Sequence, residues 1–257
     1  MSADNDLMAA RIFLRAVLPV MKVVIEDDPK FTKKFAGVNA TVQFVADTAD
    51  KPYGSFVTFE NGNFGVGKGI AENADIVFAF KSLKKMNAFF AGKPVLPKIR
   101  GWFKFGLLMK MFALLMYLKV LMPNADPQDP EKRRIKVKMT FYMITTALSQ
   151  YNKGGDFEMV KWTSKQPERI YQITVDDDIA AYLRIKAGKS KAGRGIYKKR
   201  RPFVHMQFKG VEGAYPIVMN RVDMVDAVRQ GLLSIEGSPE YAGNMGDFMQ
   251  RIQDLIT

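Results

Sequence analysis

The sequence has no cysteine and a single histidine, His205. Without thiols there are no disulfides, thiolate zinc sites, iron–sulfur ligands or cysteine nucleophiles. One histidine rules out a His-rich metal site within a chain, and it permits a Ser-His-Asp triad only with His205 as base. Acid is also scarce. Against 39 Lys and Arg stand 26 Asp and Glu, a net charge of +13 over 257 residues. Such a surplus points to nucleic acid, an anionic membrane or an acidic protein as partner, and it says nothing about fold. Uninterrupted apolar runs are missing too. Met1-Ser2-Ala3-Asp4-Asn5-Asp6 is acidic where a secretory signal is basic. Phe103–Met122 is long enough to span a bilayer, but Lys104, Lys110 and Lys119 interrupt it. Each lysine near mid-membrane costs about 2.5–3.5 kcal/mol. At about 100° per residue the lysines share one half of the circumference. The other half keeps Phe105, Leu108, Met109, Phe112, Leu115 and Met116. This reads as an amphipathic helix covering a core or a lipid, in a cytoplasmic protein for which a place at a membrane surface stays open.

What is present fits a folded chain: 47% hydrophobic and 25% charged, with length for one large domain or two small ones. Leu7–Ile25 predicts a helix kinked at Pro19, and Asp28-Pro29 starts a second that ends near Gly37. Thr41–Ala46 and Ser55–Glu60 alternate as strands, and the turn Glu60-Asn61-Gly62-Asn63 leads into Phe64–Ile70. Ile76–Phe80, apolar on both faces, predicts a central strand. A helix over Leu83–Phe90 closes at Gly92, then Lys98–Trp102 is a short strand before the Phe103–Met122 helix. Pro123–Pro130, three prolines in eight residues, reads as a linker. The order of elements then recurs: a helix over Arg133–Tyr151, and strands over Arg169–Val175, Ala180–Lys186 and Phe203–Phe208. Helical spacing follows at Val222, Val225 and Val228. Ser234-Ile235-Glu236-Gly237 corresponds to Lys98-Ile99-Arg100-Gly101, each before a closing helix. The pattern is an internal repeat, with two unrelated α+β halves as the alternative. The expected division is 1–122, a linker 123–130, and 131–257.

Ala74-Asp75-Ile76-Val77-Phe78-Ala79-Phe80, a helix ending Phe90-Ala91-Gly92-Lys93, and Lys98-Ile99-Arg100-Gly101 before an amphipathic helix resemble the sterol carrier protein type-two (SCP-2-like) family. The Asn61-Gly62 hairpin and the Gly67-Lys68-Gly69 strand fit the same pattern. The resemblance covers about residues 30–120, and Leu233-Ser234-Ile235-Glu236-Gly237 extends it to the second half. It implies an α+β fold, a five-stranded sheet with helices on one face, in two tandem copies. It also implies an apolar tunnel holding a fatty acyl chain, sterol or isoprenoid, in a family that is mostly non-enzymatic. On that basis Phe89, Phe90, Trp102, Phe105, Leu108, Met109, Phe112 and Met116 are the candidate lipid-binding residues. Sixteen methionines fit either ordinary core filling or a cavity lined by flexible thioethers.

Other motifs fall short of chemistry. Gly188-Lys189-Ser190 lacks the upstream glycine of a phosphate-binding loop, since Leu183 stands there. Gly65, Gly67 and Gly69 lie in a hairpin, and Ile70 takes the place of a dinucleotide fingerprint's third glycine. Asp176-Asp177-Asp178 has no calcium-loop spacing after it and reads as a solvated turn. His205 has no carboxylate partner evident in sequence. Lys186–Arg201 carries eight basic residues and no acid, spaced by glycines, and reads as a mobile connection between strands. Within it, Lys189, Lys191, Arg194, Lys198, Lys199, Arg200 and Arg201 are the candidate membrane-docking residues. The leading expectation is a non-catalytic lipid-binding or lipid-transfer protein, with no cofactor and no metal, that docks on anionic membranes. An accessory factor presenting a hydrophobic intermediate to partner enzymes of lipid or quinone synthesis is the second. The third is a basic nucleic-acid-binding protein, for which Tyr197 beside Lys198–Arg201 is thin support.

Overall fold

Pro19 decides the shape of the first helical segment. It has no N–H to donate, and its ring crowds the carbonyl one turn back. The helix α1 (Ala3–Ile12) therefore runs into a π-helical turn, Phe13–Val17, and a 3₁₀ turn, Leu18–Val20, before α2 (Met21–Asp27) resumes. Asp28 caps α3 (Pro29–Phe35), accepting from Lys30 N at 2.9 Å. In this computed structural model, which describes residues 3–256, the chain forms two compact units: residues 3–119 with 255–256, and Val120–Asp254.

The first unit contains β1 (Ala40–Ala46), β2 (Tyr53–Glu60), β3 (Asn63–Lys68), β4 (Ile76–Phe80), α4 (Leu83–Phe90), β5 (Lys98–Arg100) and α5 (Phe105–Tyr117). Its sheet runs β3-β2-β1-β4-β5, with β1 and β4 parallel and every other pair antiparallel. Asn61 and Gly62 both have positive φ, 51° and 83°, the conformation that suits a tight hairpin and that asparagine and glycine tolerate. The second unit contains α6 (Pro130–Lys153), α7 (Phe157–Ser164), β6 (Arg169–Val175), β7 (Ile179–Lys186), β8 (Lys189–Arg194), β9 (Val204–Phe208), α8 (Gly210–Val218), α9 (Met224–Arg229), β10 (Leu233–Gly237) and α10 (Pro239–Ile256). Its sheet runs β10-β9-β6-β7-β8, the same order read from the other edge, again with one parallel pair, β6 and β9. The architecture is α+β with two five-stranded mixed sheets.

The likeness between the sheets extends to single side chains. Gln43 on β1 is buried, and its Nε2 donates to the carbonyls of Phe44 (2.8 Å), Ser55 (2.9 Å) and Gly69 (3.2 Å). Its Oε1 accepts from Ala71 N at 2.7 Å. Gln172 on β6 repeats this with Ile173, Ala181 and Gly195 as acceptors and Tyr197 N as donor. In each unit one buried amide, satisfied at both ends, ties the central strands to the chain leaving the third. A ring also covers a glycine in each: a Cβ on Gly67 would lie 2.0 Å from Phe56, and one on Gly193 would lie 2.2 Å from Tyr182.

The structure corrects one expectation and adds elements and contacts beyond the others. The basic stretch is not a mobile connection throughout, since Lys189–Arg194 is an edge strand paired with β7. Its inward positions are Ser190 and Ala192, too small and polar to show an apolar alternation; buried Ser190 donates to Ser149 O at 3.2 Å. The helices α7 and α8 went unrecognised; α7 buries only Met159 and Thr163, too few positions for a visible period. The expected linker is anchored as well. Asp126 accepts from Tyr215 Oη (2.7 Å) and Arg221 Nη2 (2.6 Å), and Lys136 Nζ donates to the carbonyls of Met122 (2.9 Å) and Ala125 (2.6 Å).

Lys136 is 1% exposed, and burial pushes its pKa from 10.5 down to about 8, against the pull of Asp126. Between about 8 and 10.5 the unfolded chain keeps a proton that the folded chain has released, so stability rises with pH there. Above about 10 the sign reverses, because burial raises Tyr151 and Tyr215 to about 12. We expect the unfolding free energy of the wild type to gain on that of Lys136→Met between pH 8 and pH 10, by at most about 1.4 kcal/mol per pH unit. Urea titrations across that range measure it, and a constant difference would contradict the assignment.

Candidate lipid-facing surface

The orientation of α5 is fixed at its start. Gly101 (φ 76°) lies so close to β4 that a Cβ would sit 2.0 Å from the carbonyl oxygen of Asp75. Lys104, three residues on, pairs with the Asp75 carboxylate, which also accepts from Thr41 N at 2.7 Å. Burial alone would raise Asp75, but these two donors outweigh it and hold the carboxyl below its usual range. From this anchor Leu108, Met111 and Leu114 turn into the core. Phe112 meets Phe78 edge-on at 5.8 Å, and Tyr117 meets Phe31 at 5.2 Å.

The expected tunnel-lining residues divide. Phe89 packs on Phe80 (5.2 Å), and Phe90 packs on Phe13 (5.6 Å) and Phe44 (5.5 Å). Leu108 is buried and Phe112 half-buried. Trp102 (69% exposed), Phe105 (67%), Met109 (51%) and Met116 (55%) point to solvent, which corrects their placement in a tunnel wall. Leu96 (96%) and Phe103 (72%), which the sequence reading omitted, are exposed as well. The apolar arc of α5 is wider than the arc the core accepts, and the helical period marks the whole arc without saying which part is covered. For Leu96 and Phe103 the available signal was a large apolar residue beside the proline and glycine turns of 94–101.

The stretch of chain that supplies this surface is basic. Between Asp75 and Asp126 the chain has no acidic residue, while Lys81, Lys84, Lys85, Lys93, Lys98, Arg100, Lys104, Lys110 and Lys119 fall within it. Lys93, Lys98 and Arg100 are exposed.

The other basic region is partly neutralised. Lys186 and Arg200 approach Glu168 at 3.8 and 3.9 Å, and Arg184 hydrogen-bonds it at 2.7 Å, the main cause of its lowered pKa. The Arg194 guanidinium lies 4.8 Å from the Tyr142 ring centre. Lys189, Lys191, Lys198, Lys199 and Arg201 are exposed. Nearby, Arg201, Phe203, His205, Glu236 and Ser238 line an open cleft. His205 Nε2 lies 2.9 Å from Thr174 Oγ1, and burial lowers its pKa against the pull of Glu236, its partner across β9 and β10. That carboxylate is far off in sequence and was not legible there. Among the described residues no group of three or more acidic or histidine side chains could hold a metal ion, and no helix is long and apolar enough to cross a membrane.

No protein-family model and no curated protein matches this chain. Two solved structures of a secondary alkylsulfatase are similar over 55% of it. One, from Pseudomonas sp., is 11% identical with a TM-score of 0.27, and this match takes in 28% of that chain. The other, a double mutant, is 13% identical with a TM-score of 0.28 over 29% of that chain. The likeness is too slight to inform fold or chemistry.

The two arcs of α5 should respond differently to substitution. Met111→Ala should cost about 2–5 kcal/mol, as a buried large-to-small change does. Met109→Gln and Phe105→Ser should stay within about 0.5 kcal/mol. Equal losses in urea unfolding would place the outer arc in the core.

Proposed function

We propose that this is a non-catalytic lipid-binding or lipid-transfer protein, built of two SCP-2-like domains, that docks on anionic membranes and carries an acyl chain, sterol or isoprenoid. The observation that carries the reading is the exposed surface of Leu96, Trp102, Phe103, Phe105, Met109 and Met116, set in an acid-free, lysine-rich stretch. Apolar side chains left in water so close together favour burial. A bilayer interface accepts tryptophan and phenylalanine at headgroup depth while lysine stems lie along the apolar surface and their ammonium groups reach lipid phosphates. Each cation near an anionic leaflet contributes about 1 kcal/mol. Leu96, Met109 and Met116 suit lipid better than nucleic acid, whose bases are held by aromatic stacking. The SCP-2-like resemblance, together with the same strand order and the same buried glutamine in both units, supports the tandem architecture. Docking is assigned first to the surface of α5, with Lys189, Lys191, Arg194, Lys198, Lys199, Arg200 and Arg201 as a second basic region.

Co-sedimentation with phosphatidylserine-containing vesicles tests this. Phe105→Glu with Met109→Glu should reduce binding by at least about tenfold, from lost burial and added repulsion. Reversing Lys198, Lys199, Arg200 and Arg201 to glutamate should weaken binding less. Displacement by an oligonucleotide of equal phosphate content, with no lipid extractable from the purified protein, would replace this reading with nucleic-acid binding.

A further inference from the structure

In the first unit two arginines and a tyrosine come together with buried donors left unpaired, and a buried serine stands next to the tyrosine on its strand. Arg11 and Arg15 stand four residues apart on one face of the opening helix, Arg15 within the π-helical turn. The Arg15 guanidinium lies 5.6 Å from the centre of the Tyr53 ring on β2. Ser55, two residues along the strand, shares the face of Tyr53 and is 0% exposed. The Nε atoms of both arginines, the Tyr53 hydroxyl and the Ser55 hydroxyl are all buried without a hydrogen-bond partner among the described residues. Neither arginine pairs with a carboxylate among them. Burial lowers the pKa of Arg11, and the positive charge of Arg15 lowers it further.

Buried donors are nearly always satisfied, and those that are not call for a missing partner. Here two guanidiniums that repel one another are held together beside two hydroxyls, so all four groups can donate and none is an obligatory acceptor. The partner that satisfies them is an oxyanion, since the planar guanidinium fork matches a carboxylate or phosphate. A π-helical turn in a helix is itself often found at a functional site. Phe13, two residues from each arginine, faces the other side of the helix and stacks on Phe90.

We propose that Arg11, Arg15 and Tyr53, with Ser55 beside them, form an oxyanion-binding site that takes the carboxylate head group of an amphiphile. That the ligand carries a tail rests on the lipid-binding function proposed above; the oxyanion site does not.

Isothermal titration with dodecanoate, dodecanol and inorganic phosphate separates the two. The wild type should bind dodecanoate at least about tenfold more tightly than dodecanol, as a charge-assisted contact provides. Arg11→Gln with Arg15→Gln should abolish that preference and leave dodecanol binding unchanged. Tyr53→Phe, a milder change that keeps the ring, should weaken dodecanoate several-fold and leave dodecanol alone. Without ligand, the double variant should be at least as stable in urea as the wild type, because it removes the repulsion between the two guanidiniums. A double variant that is markedly less stable would make the arginines structural and overturn the site. Equal binding of dodecanoate and dodecanol, unchanged in the variants, would also overturn the site and leave lipid binding standing. Phosphate binding lost in the double variant, with neither twelve-carbon compound bound, would keep the oxyanion site and overturn the lipid reading. Binding of none of the three would overturn both.

Discussion

The ion pair between Lys104 and Asp75, with the close approach of Gly101 to the Asp75 carbonyl, determines which arc of α5 meets the core. A salt bridge as exposed as this one adds little stability by itself. Its consequence is directional: it sets the rotation from which Leu108, Met111 and Leu114 turn inward and Phe105, Met109 and Met116 turn outward. The membrane-docking proposal depends on that rotation. A helix turned by a third of its circumference would bury those three side chains and expose its core.

The closing helix of the second unit shows that the fold does not require an apolar outer arc. There too a glycine, Gly237, lies against a backbone carbonyl, that of Phe203, immediately before the helix. In α10 the inward positions are Ala242, Met245, Phe248 and Ile252, while Glu240, Asp247, Gln250, Arg251 and Asp254 are exposed. The two helices occupy equivalent places in their units and solve the same packing problem. One ends in an ordinary polar exterior, and the other leaves large apolar residues in water. Packing within the unit gives no reason for that difference, and the function proposed above supplies one.

Much of the backbone was legible because its signals are local. Asn61-Gly62 specifies its turn, Asp28-Pro29 its helix start, alternation marks β1, β6 and β9, and an apolar run marks β4. What stayed hidden depends on partners distant in the chain. Gln43 and Gln172 look like misplaced polar residues until the carbonyls of Gly69 and Gly195 come alongside. The edge strand β8 has no large inward side chains to reveal it. The lipid-binding set follows from the family resemblance and the apolar side of the helix, neither of which marks the boundary between core and surface, and Trp102, Phe105, Met109 and Met116 are exposed. Arg11 and Arg15 stand four residues apart in an otherwise apolar segment, and only the burial of their Nε atoms beside Tyr53 shows those donors unpaired.

The central claim is that the exposed rings of the first unit enter a bilayer. With two tryptophans in the chain, Trp162→Phe leaves Trp102 as the sole indole reporter. Its fluorescence, measured in phosphatidylserine-containing vesicles whose acyl chains carry bromine near the headgroup, tests the claim directly. The account predicts a blue shift on adding vesicles and strong quenching by the brominated lipid, both reversed by high salt as screening weakens the lysine contacts. An emission maximum and intensity unchanged by either vesicle would contradict it.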